Sequence, residues 1–146
     1  MRILGLDIGT KTIGMAISDP LGWTAQGLAT QRRAGQLEKD LEGIMDVVKK
    51  FGVTRIVAGL PRNMDGTRGP AAAQVEEFAA RLREVSGLTV ELWDERLTTV
   101  AAHKTLLEAD LSRRKRKKVV DQLAAVYILQ GYLDRMAGAG SVRERE

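Results

Sequence analysis

Two short apolar runs near the amino terminus, Ile3–Ile8 and Ile13–Ser18, are separated only by Gly9, Thr10, Lys11 and Thr12. Both are rich in β-branched and aliphatic residues, and so short a connection opening on glycine is a β-hairpin signal. The chain therefore begins with antiparallel pairing. Residues 23–30, WTAQGLAT, predict a third strand, weakened at Gly27.

The period then changes. Leu37, Leu41, Ile44, Met45, Val48 and Phe51 recur at helical spacing over residues 36–51, and Gly52 supplies the stop. Residues 55–60, RIVAGL, are nearly all apolar, as expected of a strand covered on both faces in a parallel sheet. The next ten residues, PRNMDGTRGP, are punctuated too densely by glycine and proline for regular structure and predict a loop. Ala72, Val75, Phe78, Ala79, Leu82 and Val85 trace a second helix ending at Gly87, and LTVELWD supplies the next strand. The final third predicts helices over about 98–109 and 119–137 around a basic segment, then a polar tail over 138–146. Two strand-then-helix units in series need crossovers and a parallel sheet. The 146 residues contain no linker, repeat or low-complexity stretch. The expectation is one α/β domain over 1–137, with a mixed five-stranded sheet that opens as an antiparallel meander and continues in parallel, flanked by helices.

Composition narrows the chemistry. The absence of cysteine excludes disulfides, thiolate nucleophiles, zinc knuckles and iron–sulfur ligation. A single histidine, His103, leaves no His-rich metal site, and no G-x-S-x-G elbow accompanies it. No apolar run approaches the roughly 20 residues that span a bilayer, and no signal-peptide core is present, so no membrane partner and a cytoplasmic location are expected. With aromatic residues at 4%, Trp23 and Trp93 are read as core or edge packing rather than as base-stacking platforms.

Carboxylates stand where open α/β sheets place their sites, beyond the carboxyl ends of strands. Asp7 falls near the end of the first strand, with Gly5 and Gly9 leaving room for approach. Asp94 and Glu95 end the strand LTVELWDE, and alternation lets only one of them point inward. Asp121 precedes Ala124, Ala125 and Ile128 by three, four and seven residues, which sets it beside an apolar helix face, where a carboxylate is costly unless paired or metal-bound. Acids from the first strand, a later strand and the last helix can meet at one sheet edge, and there they repel unless a hard cation neutralises them. Oxygen-only ligands select Mg²⁺ or Mn²⁺, the ions of two-metal phosphodiester displacement. The run GLDIGTKT is not a P-loop: Thr10 stands where the second glycine is required, and Asp7 would set a negative charge among phosphates.

Charge supports a polyanionic partner. Residues 112–118 read SRRKRKK, and of 23 Lys and Arg these six leave 17 against 19 Asp and Glu, so the positive field is local and adjoins Asp121.

The segments GLDIGTKTIG, IVAGLPRNMDG, WDERLTTVAA and DQLAAVYIL, in this order over residues 1 to about 135, resemble the YqgF family, also called RuvX, of RNase H-like Holliday junction resolvases and pre-16S rRNA nucleases. The resemblance implies an RNase H-like fold and metal-dependent phosphodiester hydrolysis with Asp7, Glu95 and Asp121 as catalytic residues and ligands of Mg²⁺ or Mn²⁺. In this chain the central parallel strand ends Gly59-Leu60-Pro61, without the acid that related resolvases carry there, so the second ligand is expected from the Asp94-Glu95-Arg96 motif. The partner implied is nucleic acid, either the 5′ end of precursor 16S rRNA or branched DNA. Expected contacts to it are Thr10, Lys11, Arg62, Arg113, Arg114, Lys115, Arg116, Lys117 and Lys118. A homodimer is one arrangement open to the chain. Two other classes compete: a non-catalytic nucleic-acid-binding module, and an ATP-binding domain of the actin–hexokinase type, whose members are several times longer.

Overall fold

The computed structural model describes residues 2–62, 65–95 and 123–138. The helix expected over 98–109, the basic run Arg113–Lys118, Asp121, His103 and residues 139–146 of the expected tail lie outside the described residues.

The hairpin forms as expected: β1 (Arg2–Ile8) and β2 (Thr12–Ser18) pair antiparallel from Leu4↔Ile17 to Ile8↔Ile13, and the Gly9 N–H donates to the Thr12 carbonyl across the turn. The single third strand is instead two short ones, β3 (Ala25–Gly27) on Ala16–Ser18 and β4 (Gln31–Arg32) on Thr12–Ile13. Both pair with β2, and the sheet therefore has six strands rather than five. Between them the ladder is carried by one bond, from the Leu28 N–H to the Met15 carbonyl at 2.9 Å, so two-residue pairing survives on tertiary support that local propensity does not encode.

Helix α1 (Leu37–Phe51) and helix α2 (Pro70–Ser86) alternate with β5 (Val53–Leu60) and β6 (Thr89–Asp94), and a last helix, α3, covers residues 123–138. Gly52 and Gly87 end α1 and α2 with φ of 64° and 67°, the left-handed conformation that a side chain disfavours. The expected loop 61–70 gives up its last residue, because Pro70 starts α2, where its fixed φ fits and no N–H is needed.

The strand order is β3-β2-β1-β5-β6, with β1, β5 and β6 parallel. Alternation sorts the strand residues into two layers. Leu4, Leu6, Ile56, Ala58 and Val90 pack with Leu41, Ile44, Phe78 and Leu82 of α1 and α2. On the opposite face Ile3, Val57 and Trp93 pack with Ala125, Ile128, Leu129 and Tyr132 of α3. A Cβ at Gly5 would stand 2.7 Å from Leu129 Cβ, so α3 lies almost on the backbone of β1.

Trp93 is core, edge-on to Tyr132 at 6.0 Å, as its composition-based reading has it. Trp23 is not: it is 70% exposed. The Asp19 carboxylate accepts the Trp23 and Thr24 N–H groups at 2.6 and 2.9 Å, which fixes a tight turn with its side chains in solvent.

Candidate active site

The three parallel strands end at one edge of the sheet. The register pairs Leu6 with Ala58 and Gly59 with Trp93, so Asp7 stands beside Gly59, and Glu95 follows Trp93 by two residues. Alternation sets Asp7, half-buried, on the face of Ile3 and Gly5 that α3 covers. Glu95 reaches the same face from the far side: its Oε1 lies 2.8 Å from the point that a Cβ on Gly59 would occupy. With strands about 4.8 Å apart, β1 and β6 are separated by about 10 Å, and a carboxylate over the middle strand halves that gap. Asp94, paired with Leu60, alternates to the other face, that of Val90 and Leu92. Asp7 and Glu95 are thus brought together, while Asp121 lies outside the described residues. Among the described residues no group of three or more His, Cys, Asp or Glu is arranged to hold a metal. The two acids supply hard oxygen donors only, a set that suits Mg²⁺ or Mn²⁺.

Round the same edge, on the α1/α2 side, opens a cleft of about 620 Å³ lined by Thr10, Lys11, Arg32, Arg33, Leu37 and Phe78 among others. Thr10, Lys11 and Arg32 are exposed at its rim. Arg33 is built in: its Nε donates to Asp40 at 2.9 Å, its Nη1 to the Gly9 carbonyl at 2.8 Å, and its guanidinium lies over the Phe78 ring. Asp40, 1% exposed, also accepts the Ala34 N–H at 2.8 Å. This pair ties the β1–β2 turn to both helices and holds Thr10 and Lys11 at the edge where Asp7 ends its strand. Arg62, also exposed, lies elsewhere on the edge, in an isolated bridge with Arg68 that closes the base of the loop after β5.

Sequence reasoning missed Arg32, Arg33 and Asp40. A signal was present: Asp40 is three residues after Leu37 and four before Ile44, on the apolar stripe of its helix, the same placement that singled out Asp121.

Comparison with known proteins gives the family and the fold. The family described as "RuvX: Holliday junction resolvase" matches residues 1–135. A relative from Moorella thermoacetica, named "Putative pre-16S rRNA nuclease", is 61% identical over 96% of this chain and 99% of its own length. One of the same name from Clostridium perfringens strain SM101 is 59% identical over 94% and 99%. Among solved structures, Thermus thermophilus RuvC in complex with a Holliday junction substrate shares the fold with a TM-score of 0.59 at 11% identity, over 94% of this chain and 96% of that one. The Fowlpox virus resolvase, in a complex with Holliday junction DNA, does so with a TM-score of 0.54 at 13% identity, over 93% and 99%. A family match along almost the whole chain and relatives near 60% identity over nearly their full length place this protein in the RuvX family of nucleases.

Proposed function

We propose that the protein is a divalent-metal-dependent endonuclease of structured nucleic acid, acting in the cytoplasm on the 5′ end of precursor 16S rRNA during ribosome maturation. The observation that carries this reading is the Glu95 carboxylate lying over Gly59, on the strand next to Asp7 and on the same face. Two carboxylates so placed repel in the metal-free protein and are relieved by a cation between them. Asp7, Glu95 and Asp121 are the residues that would hold Mg²⁺ or Mn²⁺, which when bound supplies charge neutralisation for the attacking and leaving oxygens of a phosphodiester displacement.

The chain's own part is to position the backbone of its substrate. Lys11 and Arg32 at the cleft rim, with Thr10, present cationic and hydroxyl groups round the sheet edge at which Asp7 ends its strand, and the run Arg113–Lys118 adds six charges near Asp121 in sequence. Among the described residues no helix is long and apolar enough to cross a membrane. RNA is preferred as substrate because the relatives near 60% identity carry the rRNA-nuclease name, whereas the resolvases resemble this chain in fold at 11–13% identity.

The family description supports a second reading, cleavage of four-way DNA junctions, which needs two cuts and therefore a homodimer. Incubation of the purified protein with a precursor 16S rRNA 5′ fragment and with a synthetic four-way junction, each with Mg²⁺, Mn²⁺, Ca²⁺ or chelator, separates the readings. Cleavage of the RNA in Mg²⁺ or Mn²⁺ only is expected. Cleavage of the junction alone would support the second reading, and binding without cleavage of either would leave a non-catalytic module.

A further inference from the structure

We propose that Gly59 is a positioning residue: by presenting no side chain at the carboxyl end of the central strand, it forms the seat in which the Glu95 carboxylate lies next to Asp7. The inference rests on the nuclease reading above, with Glu95 as a metal ligand.

Gly59 has no conformational reason to be glycine. Its φ is not positive, and glycine inside a strand costs roughly 0.5–1 kcal/mol relative to alanine. What the position requires is volume. An added Cβ would stand 2.8 Å from Glu95 Oε1 and 2.5 Å from Ile128 Cδ1, both shorter than real Cβ contacts. Gly5, on the same face of the neighbouring strand, differs: there a Cβ would meet Leu129 Cβ at 2.7 Å and the Ala125 carbonyl at 3.3 Å, a close approach of helix to sheet with no carboxylate involved. At Gly59 both opposing atoms are the far ends of flexible side chains, and no backbone atom is among the nearest three. Alanine at this position is therefore accommodated by displacing side chains rather than by unfolding, and the groups displaced are the end of Ile128 and the Glu95 carboxylate. The same geometry accounts for the strand ending Gly59-Leu60-Pro61: an acid on this strand would have to occupy the space that Glu95, reaching in from β6, already fills.

The test is Mn²⁺ binding to metal-free protein by titration calorimetry, with melting temperatures alongside, for Gly59→Ala, Gly59→Ala/Ile128→Val, Glu95→Gln and Gly59→Ala/Glu95→Gln. The Ile128→Val change removes Cδ1, so the remaining contact under 3.0 Å is with Glu95 Oε1, Ile128 Cγ1 standing off at 3.2 Å. A weakening of Mn²⁺ binding of about tenfold or more is expected in both variants that keep Glu95, with melting temperatures close to those of their parents, as for residues that orient a metal ligand. In the Glu95→Gln background the alanine should add nothing, since the carboxylate it displaces is already gone. Equal weakening in both backgrounds, or weakening that Ile128→Val restores, would make Gly59 a packing residue and overturn the proposal. Binding lost in Glu95→Gln but intact in Gly59→Ala would overturn the proposal alone. Wild-type protein that binds no Mn²⁺ would overturn it together with the nuclease reading.

Discussion

Arg33 and Asp40 form an ion pair at 2.9 Å in which the carboxylate is 1% exposed and the guanidinium about a quarter exposed. Removing either partner leaves the other without its ion-pair partner, Asp40 with only the Ala34 N–H and Arg33 with only the Gly9 carbonyl. Asp40→Ala should destabilise the fold by about 3 kcal/mol or more, a fall in melting temperature of roughly 10 °C for a domain of this size. Arg33→Lys should recover little, because an ammonium cannot reach both Asp40 and the Gly9 carbonyl in one plane. Denaturant unfolding followed by circular dichroism measures both. Wild-type stability in Asp40→Ala would mean that the pair is not needed to hold the turn.

At the acids the expected outcome is opposite. Asp7→Asn should lower the cleavage rate by at least about 100-fold, while the melting temperature without metal is kept or raised, because one of two facing carboxylates is neutralised. Asp121→Asn should behave likewise. Glu95→Gln should be as damaging as Asp7→Asn, and Asp94→Asn milder, since Asp94 alternates to the other face of the sheet. Rates and melting curves for the four variants decide it; an early melt with retained specific activity would make Asp7 a structural cap.

Salt dependence reports the cationic contacts. If about three of the six residues Arg113–Lys118 touch phosphates, neutralising them should flatten the log–log salt slope of binding by roughly 2 to 3. Lys11→Ala/Arg32→Ala should flatten it by a further 1 to 2, roughly, with little change in sequence preference. Fluorescence anisotropy titrations over a salt series give the slopes, and unchanged slopes would reduce these residues to solvated surface.

Burial of α3 against the sheet, beside Trp93 of β6, raises the Tyr132 phenol above its ordinary 10.0; the hydrogen bond from Arg55 at 2.8 Å lowers it in part, and Glu91 adds to the rise. A folded-state pKa above the unfolded one gives stability that is fully present below pH 10 and is lost as pH rises through the folded value. Unfolding free energy should therefore fall above pH 10, and Tyr132→Phe, which cannot ionise, should show a shallower fall there in urea titrations. Parallel curves for the two proteins would assign the alkaline loss to other groups.

Much of this is legible in the amino-acid sequence. The hairpin, α1, α2 and their glycine stops follow from periods of two and 3.6 residues, which depend on local sequence alone. Asp7 falls at the end of its strand for the same reason. The split into β3 and β4 was not legible, because a two-residue strand is fixed by its partner and not by its own residues. The sequence leaves open which of Asp94 and Glu95 faces α3; the answer follows from Trp93 packing against α3, and the seat over Gly59, one strand from Asp7, is visible only once β5 lies between β1 and β6. The Arg33–Asp40 pair escaped because its two halves belong to a loop and a helix whose relative approach is tertiary.

The division of β2's outer edge between β3 and β4 also bears on how the protein behaves among copies of itself. A long free strand offers an uninterrupted row of amides and carbonyls that a second chain can extend. Here that row is taken up by pieces of three and two residues, joined by the single Leu28–Met15 bond and ending at Arg32. What these pieces present outward is short, interrupted and charged at one end. On this side of the molecule a crowded solution finds no template for sheet growth, and concentration alone should not drive chains to stack there.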